Sequence, residues 1–279
     1  MMAPLRLKLS LAVLVFSMVA ACASLQRASD DGARRNAFTE PMLAREAPES
    51  DAVRAMPLEA KASYYLERRN YLRLRLTLET WTTGEEAKRS LDWSKKSLVE
   101  GETIFIAYPY AANLQRIGIR VGGDLNETAA MIVAYAFAVI AVDGTKCADP
   151  TAPAHRTDMN LSDWGSTAWQ YLARLPVKKR NHIIDIAIGL EARTAPLRKE
   201  DYFVCSGGSA EWAKSDFSKG YEVPTPPGGV GRTIVVPDDP TYVPEFRPPS
   251  DYLPKQEQER ARLPKVFEDL LDMIAAGKQ

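Results

Sequence analysis

An unbroken apolar run, AAMIVAYAFAVIAV, occupies residues 129–142 and is the strongest pattern in the chain. Asp124-Leu125-Asn126-Glu127 precedes it in the manner of a capping box, and Asp143-Gly144 follows as a stop. Its fourteen residues give about 21 Å of helix, short of a hydrocarbon core of roughly 30 Å. A helix that is apolar on every side has to be enclosed by other elements, so this segment is expected at the centre of a core.

The flanking patterns are helical or ambiguous. Residues 57–82 start at Pro57 as a helix, and then Leu72, Leu74, Leu76 and Leu78 alternate strictly with Arg73, Arg75 and Thr77. Alternation is the strand period, but Leu and Arg are good helix formers and no β-branched run supports a strand, so helix is preferred. Residues 84–102 are polar and amphipathic, and Pro109 should end or kink any helix in the apolar stretch after them. Leu161, Trp164, Ala168, Leu172 and Leu175 recur at helical spacing. Pro176 can then open a further helix through the apolar HIIDIAIGLEAR, residues 182–193.

The character changes after residue 217. Residues 224–264 hold 10 of the 19 prolines, which suggests extended, polyproline-like backbone studded with Tyr242, Phe246 and Tyr252. A short amphipathic helix is expected from Pro264, with Val266, Phe267, Leu270, Leu271 and Ile274 on one face. The expected fold is mainly α: a bundle-like helical domain over residues 57–217 around the central apolar helix, and a Pro-rich arm over residues 218–279.

The N-terminus reads differently. Arg6 and Lys8 precede the apolar Leu9 to Val19, about a dozen residues and too short to span a bilayer as a helix. Val19-Ala20-Ala21-Cys22 resembles the lipobox cut by bacterial signal peptidase II, which points to the bacterial lipoproteins. The resemblance covers residues 1–22 and implies removal of residues 1–21. Cys22 would then carry a thioether-linked diacylglycerol and an N-acyl chain. Several acyl chains, at about 0.8 kcal/mol per buried CH₂, make a stable membrane anchor. Ala23 stands where an Asp would argue against the outer membrane, so the implied address is the outer membrane, facing the periplasm. Residues 22–56 then read as a lipidated cysteine with a polar tether, whose reach is roughly 30 Å.

Cleavage removes Arg6 and Lys8, taking Lys+Arg from 36 to 34 against 36 acids, a net charge of −2. A near-neutral exported chain does not capture nucleic acid. With Cys22 on lipid, Cys147 and Cys205 remain in an oxidising compartment and are expected to pair. Closing their 58-residue separation constrains the unfolded chain by about 4 kcal/mol.

Candidate chemistry is sparse. His155 with Asp158, and His182 with Asp185, repeat a His-x-x-Asp spacing that puts an imidazole and a carboxylate on one helical face. Such pairs could share a metal or orient a histidine base. An N-terminal cap at Asp158 and an isolated polar patch at His182 account for the same residues. Glu127 completes a cap or is a buried acid. Trp164 and Trp169 are core residues or line a ligand groove. Phosphate-loop, dinucleotide, nucleophile-elbow and paired zinc-cysteine motifs are missing, and no cofactor is expected. The favoured reading is a non-enzymatic scaffold or subunit of a membrane-associated assembly, with an envelope protein as partner. A periplasm-facing hydrolase using the His/Asp residues, or a small-ligand or lipid-binding module, are the alternatives.

Overall fold

A computed structural model describes residues 48–223, 225, 231–236 and 242–276. Cys22, the signal segment and the tether up to residue 47 lie outside the described residues, as do parts of the proline-rich stretch. The chain divides into a helical unit, residues 50–215 with 238–279, and a smaller unit, residues 1–49 with 216–237. In the smaller unit β1 (Tyr221–Val223) and β2 (Thr233–Val235) pair antiparallel, with Glu222 opposite Ile234. Arg232 on this hairpin forms an exposed ion pair with Glu222.

After a single helical turn at Asp51–Arg54, the helical unit continues with α1 (Leu58–Glu67), α2 (Tyr71–Glu79) and α3 (Gly84–Val99). The alternating Leu72–Leu78 segment is helical, as preferred. Asn70 accepts a hydrogen bond from the Arg73 N–H at the start of α2, and Leu74 and Leu78, four apart, are fully buried. Thr83 and Glu86 form a reciprocal capping box on α3.

α4 (Ala107–Val121) differs from expectation at Pro109. The proline sits in the first turn, where a missing N–H costs nothing, so the helix runs straight through it. It ends at Gly122, whose φ of 68° is the left-handed conformation that a glycine cap supplies.

α5 (Asn126–Asp143) is the central helix, and residues 132–140 of it are all buried. By length and composition the stretch Asn126–Lys146 is also apolar enough to cross a membrane, and here it is packed inside the helical unit. The expected capping box is not formed. Asp124 instead accepts from the Asn126 N–H, and Glu127 reaches out to Lys179.

α6 (Thr151–Met159), a π-helical turn at Asn160–Trp164, α7 (Ser166–Arg174) and α8 (Val177–Thr194) follow. The π turn has a built-in cause. Gly165 lies so close to Asn160 and Val133 that a Cβ there would sit 2.2 Å from the Asn160 carbonyl oxygen. Asn160 is fully buried, accepting from Trp169 Nε1 at 2.9 Å and donating to Tyr108 and to the Val133 carbonyl.

The last helix corrects the expected arm. α9 spans Pro249–Ala275, 27 residues, and starts well before Pro264. Pro254 and Pro264 lie within it, and burial of Gln256, Leu263, Phe267, Leu270 and Leu271 holds the helix together across them. Residues 249–275 are therefore part of the helical core, and the extended backbone is confined to segments before them. Phe267 packs on Phe137 and Trp169, with ring centroids 5.2 and 6.0 Å away.

Side-chain pairs fix the directions. Glu127 meets Lys179 at the starts of α5 and α8, so these two helices run parallel. Arg180 meets Asp272 near the end of α9, and Asp143 meets Gln256 near its beginning, so α9 runs antiparallel to both. The bundle thus has two ends. One collects the C-termini of α5 and α8 with the start of α9; the other collects their N-termini with the end of α9.

Candidate functional site

The first of these ends holds a concentration of buried charge. Asp143 terminates α5, Lys146 lies in the turn after it, Glu191 is on the last turns of α8, and Arg198 follows α8. Arg260 comes from α9. All but Arg260 are buried. The Arg198 guanidinium donates to Asp143 Oδ2 at 2.7 Å, to the Glu191 carboxylate, to the Glu191 carbonyl at 2.7 Å and to Thr194 Oγ1 at 2.6 Å. Arg260 Nε donates to Glu191 at 3.1 Å from the solvent side. Gln256 Nε2 donates to Asp143 at 3.0 Å, and Lys146 Nζ lies 3.4 Å from the same carboxylate. Lys146 also donates to the carbonyls of Arg198 and Lys199. Burial works against the charge of Arg198, but the facing carboxylates of Asp143 and Glu191 outweigh it and hold the guanidinium more firmly protonated than usual. At the edge of this network Tyr135 on α5 shares a 3.0 Å hydrogen bond with Thr194 on α8.

Above the network is a cleft of about 420 Å³ lined by Lys146, Arg198, Lys199, Glu200, Tyr202 and Tyr252. Its floor is a set of ion pairs already closed on themselves. The Arg198 fork is spent on the protein's own carboxylates, and Lys146 is spent on carbonyls and Asp143.

Cys147 and Cys205 are joined in a disulfide beside this end, with Cα atoms 5.2 Å apart, as the cysteine count led us to expect. Extended backbone crosses them: Cys147 bridges to Phe246, and Arg247 donates to the carbonyls of Lys146 and Cys147. Asp149 fastens the same region. Its carboxylate accepts from the Thr151 N–H and hydroxyl and from the Ala210 N–H, capping two helix starts at once. Partial burial opposes ionisation, yet these hydrogen bonds hold the carboxyl below the ordinary aspartate range.

Next to the disulfide an aromatic cluster unites Tyr71, Phe105, Tyr108, Trp164 and Phe203. Trp164 stacks nearly parallel on Phe203, and the Arg156 guanidinium lies over the Phe203 ring, 4.3 Å from its centroid. Asp201 ties this cluster to α4's approach by accepting from the Thr103 hydroxyl, the Ile104 N–H and the Phe203 N–H. Burial pushes its carboxyl up and those three bonds pull the other way. Burial also pushes the Tyr71 phenol up, helped by the nearby Asp201 charge.

The His-x-x-Asp repeats do not make a site here. His155 and Asp158 are on α6, His182 and Asp185 on α8, and all four side chains face solvent. His155 Nδ1 meets the Gly207 carbonyl at 3.0 Å. Among the described residues no group of three or more His, Cys, Asp or Glu side chains is placed to hold a metal ion. Trp169 is fully buried and Trp164 is packed against the core, so both belong to the core. Glu127, half-exposed and paired with Lys179, is a surface ion-pair residue.

The residues that do converge were legible only in part. Asp143 stood out as the acid closing an apolar run, but it read as a helix stop. Glu191 with Arg198, and Gln256 with Arg260, lie on two segments far apart in the chain, and no local spacing joins these segments to each other or to Asp143. Compared with protein families, curated proteins and solved structures, the chain matches none.

Proposed function

We propose that this chain is a lipid-anchored envelope protein whose helical unit is a rigid, non-enzymatic scaffold or subunit of a membrane-associated assembly. The observation that carries the proposal is the closed ion-pair network at the cleft. Asp143, Glu191, Arg198 and Arg260 are directed at one another, joining α5, α8 and α9, and not at an open substrate position. Charged groups arranged this way make register and rigidity. The lipobox-like segment ending at Cys22 supports an anchor at the outer membrane facing the periplasm. The Cys147–Cys205 disulfide fits an oxidising compartment.

Cross-linking of the tagged chain in its native envelope tests the scaffold role. A defined membrane-associated protein partner is expected, and recovery of uncross-linked monomer across cross-linker lengths counts against it. Changing Cys22 to Ala tests the anchor separately. The expected outcome is loss of processing and of acyl labelling; a variant still processed and acylated would remove the lipoprotein reading.

A further inference from the structure

The opposite end of the bundle is chemically unlike the cleft end. The last turn of α4 exposes Ile119 and Val121, each 72% accessible, and the first residue of α8, Val177, is 60% accessible. Two ion pairs draw these turns and the end of α9 together: Glu127 with Lys179 across α5 and α8, and Asp272 with Arg180 across α9 and α8. α7 ends at Arg174, directly before Pro176 and the start of α8, so its C-terminus lies at the same end. The exposed aliphatic side chains therefore share one end of the bundle.

The charges around them are uneven. Glu127 and Asp272 are answered by Lys179 and Arg180, and Asp124 accepts from a backbone N–H. Arg120 lies over Trp81, and the exposed Arg174 and Lys178 form no ion pair among the described residues. The surplus is positive. Arg180 is not part of that surplus: it is 8% accessible and its guanidinium is held by a 3.3 Å contact to the well-exposed Asp272.

We propose that this end is a docking surface for an anionic phospholipid bilayer. Ile119, Val121 and Val177 would enter the boundary between headgroups and acyl chains, while the exposed Arg120, Arg174 and Lys178 meet the headgroup phosphates. Exposed aliphatic side chains ringed by unpaired Lys and Arg are the combination that anionic lipid surfaces attract. A protein groove would satisfy the aliphatic residues but gives no reason for the surplus of cations. The inference does not depend on lipid at Cys22, because the surface is formed by the helical unit itself.

The test uses the processed chain, residues 22–279, carrying Cys22→Ala, so that neither an acyl anchor nor the apolar segment Leu9–Val19 contributes. Val121→Cys is labelled with an environment-sensitive fluorophore, and Ile186→Cys, on the side of α8, serves as the control position. Vesicles of phosphatidylcholine with phosphatidylglycerol should blue-shift the probe at 121 and raise its emission severalfold. Phosphatidylcholine alone should do so little, and the probe at 186 should stay unchanged. The pair Arg174→Glu and Lys178→Glu should abolish the response, as should high salt added to the labelled parent, which needs no charge-reversed variant to fold. The proposal is overturned if the 121 probe is silent, responds equally to neutral vesicles, is matched by the 186 probe, or responds only when envelope proteins are added. Failure here leaves acylation at Cys22 untouched, and loss of acylation leaves this response untouched.

Discussion

Removing single members of the buried network should destabilise the protein in an order set by the charge left behind. Asp143, Glu191, Lys146, Arg198 and Arg260 comprise two negative and three positive groups. Arg198→Met takes away the central fork but leaves Asp143 with Lys146 and Gln256, and Glu191 with Arg260. Each carboxylate keeps a cation, so the loss should lie near the lower bound for breaking a buried pair, about 3 kcal/mol. Glu191→Gln is worse although it is nearly isosteric. It leaves three cations with Asp143 alone and turns an amide N–H toward Arg198 and Arg260. That should cost about 5 kcal/mol, the upper end for such pairs. For a protein of this size the two losses correspond to falls in Tm of about 6–12 and 10–20 °C. Urea unfolding followed by far-UV circular dichroism, with equal slopes for both variants, reads the difference directly. The reasoning is refuted if Arg198→Met is the more damaging change, or if both cost less than about 1 kcal/mol, the range of exposed pairs.

Other features give further expectations. Reducing the Cys147–Cys205 disulfide, or replacing both residues by Ser, releases a 58-residue separation and should lower stability by about 4 kcal/mol in urea titrations. Gly165→Ala places a Cβ against the Asn160 carbonyl and Val133, and should cost about 3 kcal/mol or prevent folding; a neutral result in thermal unfolding would mean the π turn is relaxed. Asp149 is held below the ordinary aspartate range, so its contribution is present above that range and is lost as pH falls through it. Asp149→Ala should therefore lose about 1–2 kcal/mol at neutral pH and should converge on the parent as pH is lowered in parallel unfolding curves.

Local pattern was a good guide wherever one segment contains its own reason for folding. The apolar run at 129–142 needs enclosure whatever its neighbours are, and α5 is enclosed. Leu72–Leu78 shows how local pattern can mislead: its alternation is the strand period, yet helix propensity, the Asn70 cap and the burial of Leu74 and Leu78 decide for helix. The prolines were harder. In sequence Pro109 looks like a breaker and Pro264 like a helix start, yet both lie within helices. Pro109 is harmless because it falls in a first turn, and Pro264 is tolerated because Leu263, Phe267, Leu270 and Leu271 bury the helix around it. The first depends on where α4 starts and the second on what packs on α9, and neither is a property of the proline itself.

The same distinction explains where the His-x-x-Asp residues fall. Spacing of three guarantees that two side chains share a helix face, but not that the face turns inward, and for α6 and α8 those faces turn to solvent. A buried network has the opposite property. Asp143 and Arg198 stand 55 positions apart, and Glu191 and Arg260 stand 69 apart, so no local period links them. They meet because α5 and α8 run parallel and end together while α9 begins beside them. An acid that closes an apolar helix is the one local hint available. Asp143 cannot remain charged at a buried helix end without a cation, and the search for its partner leads to Arg198 and then to Glu191 and Arg260. The ion pairs at this end and the unmatched cations at the other thus divide one bundle into a finished interior and an unfinished surface. Binding is to be sought at the surface.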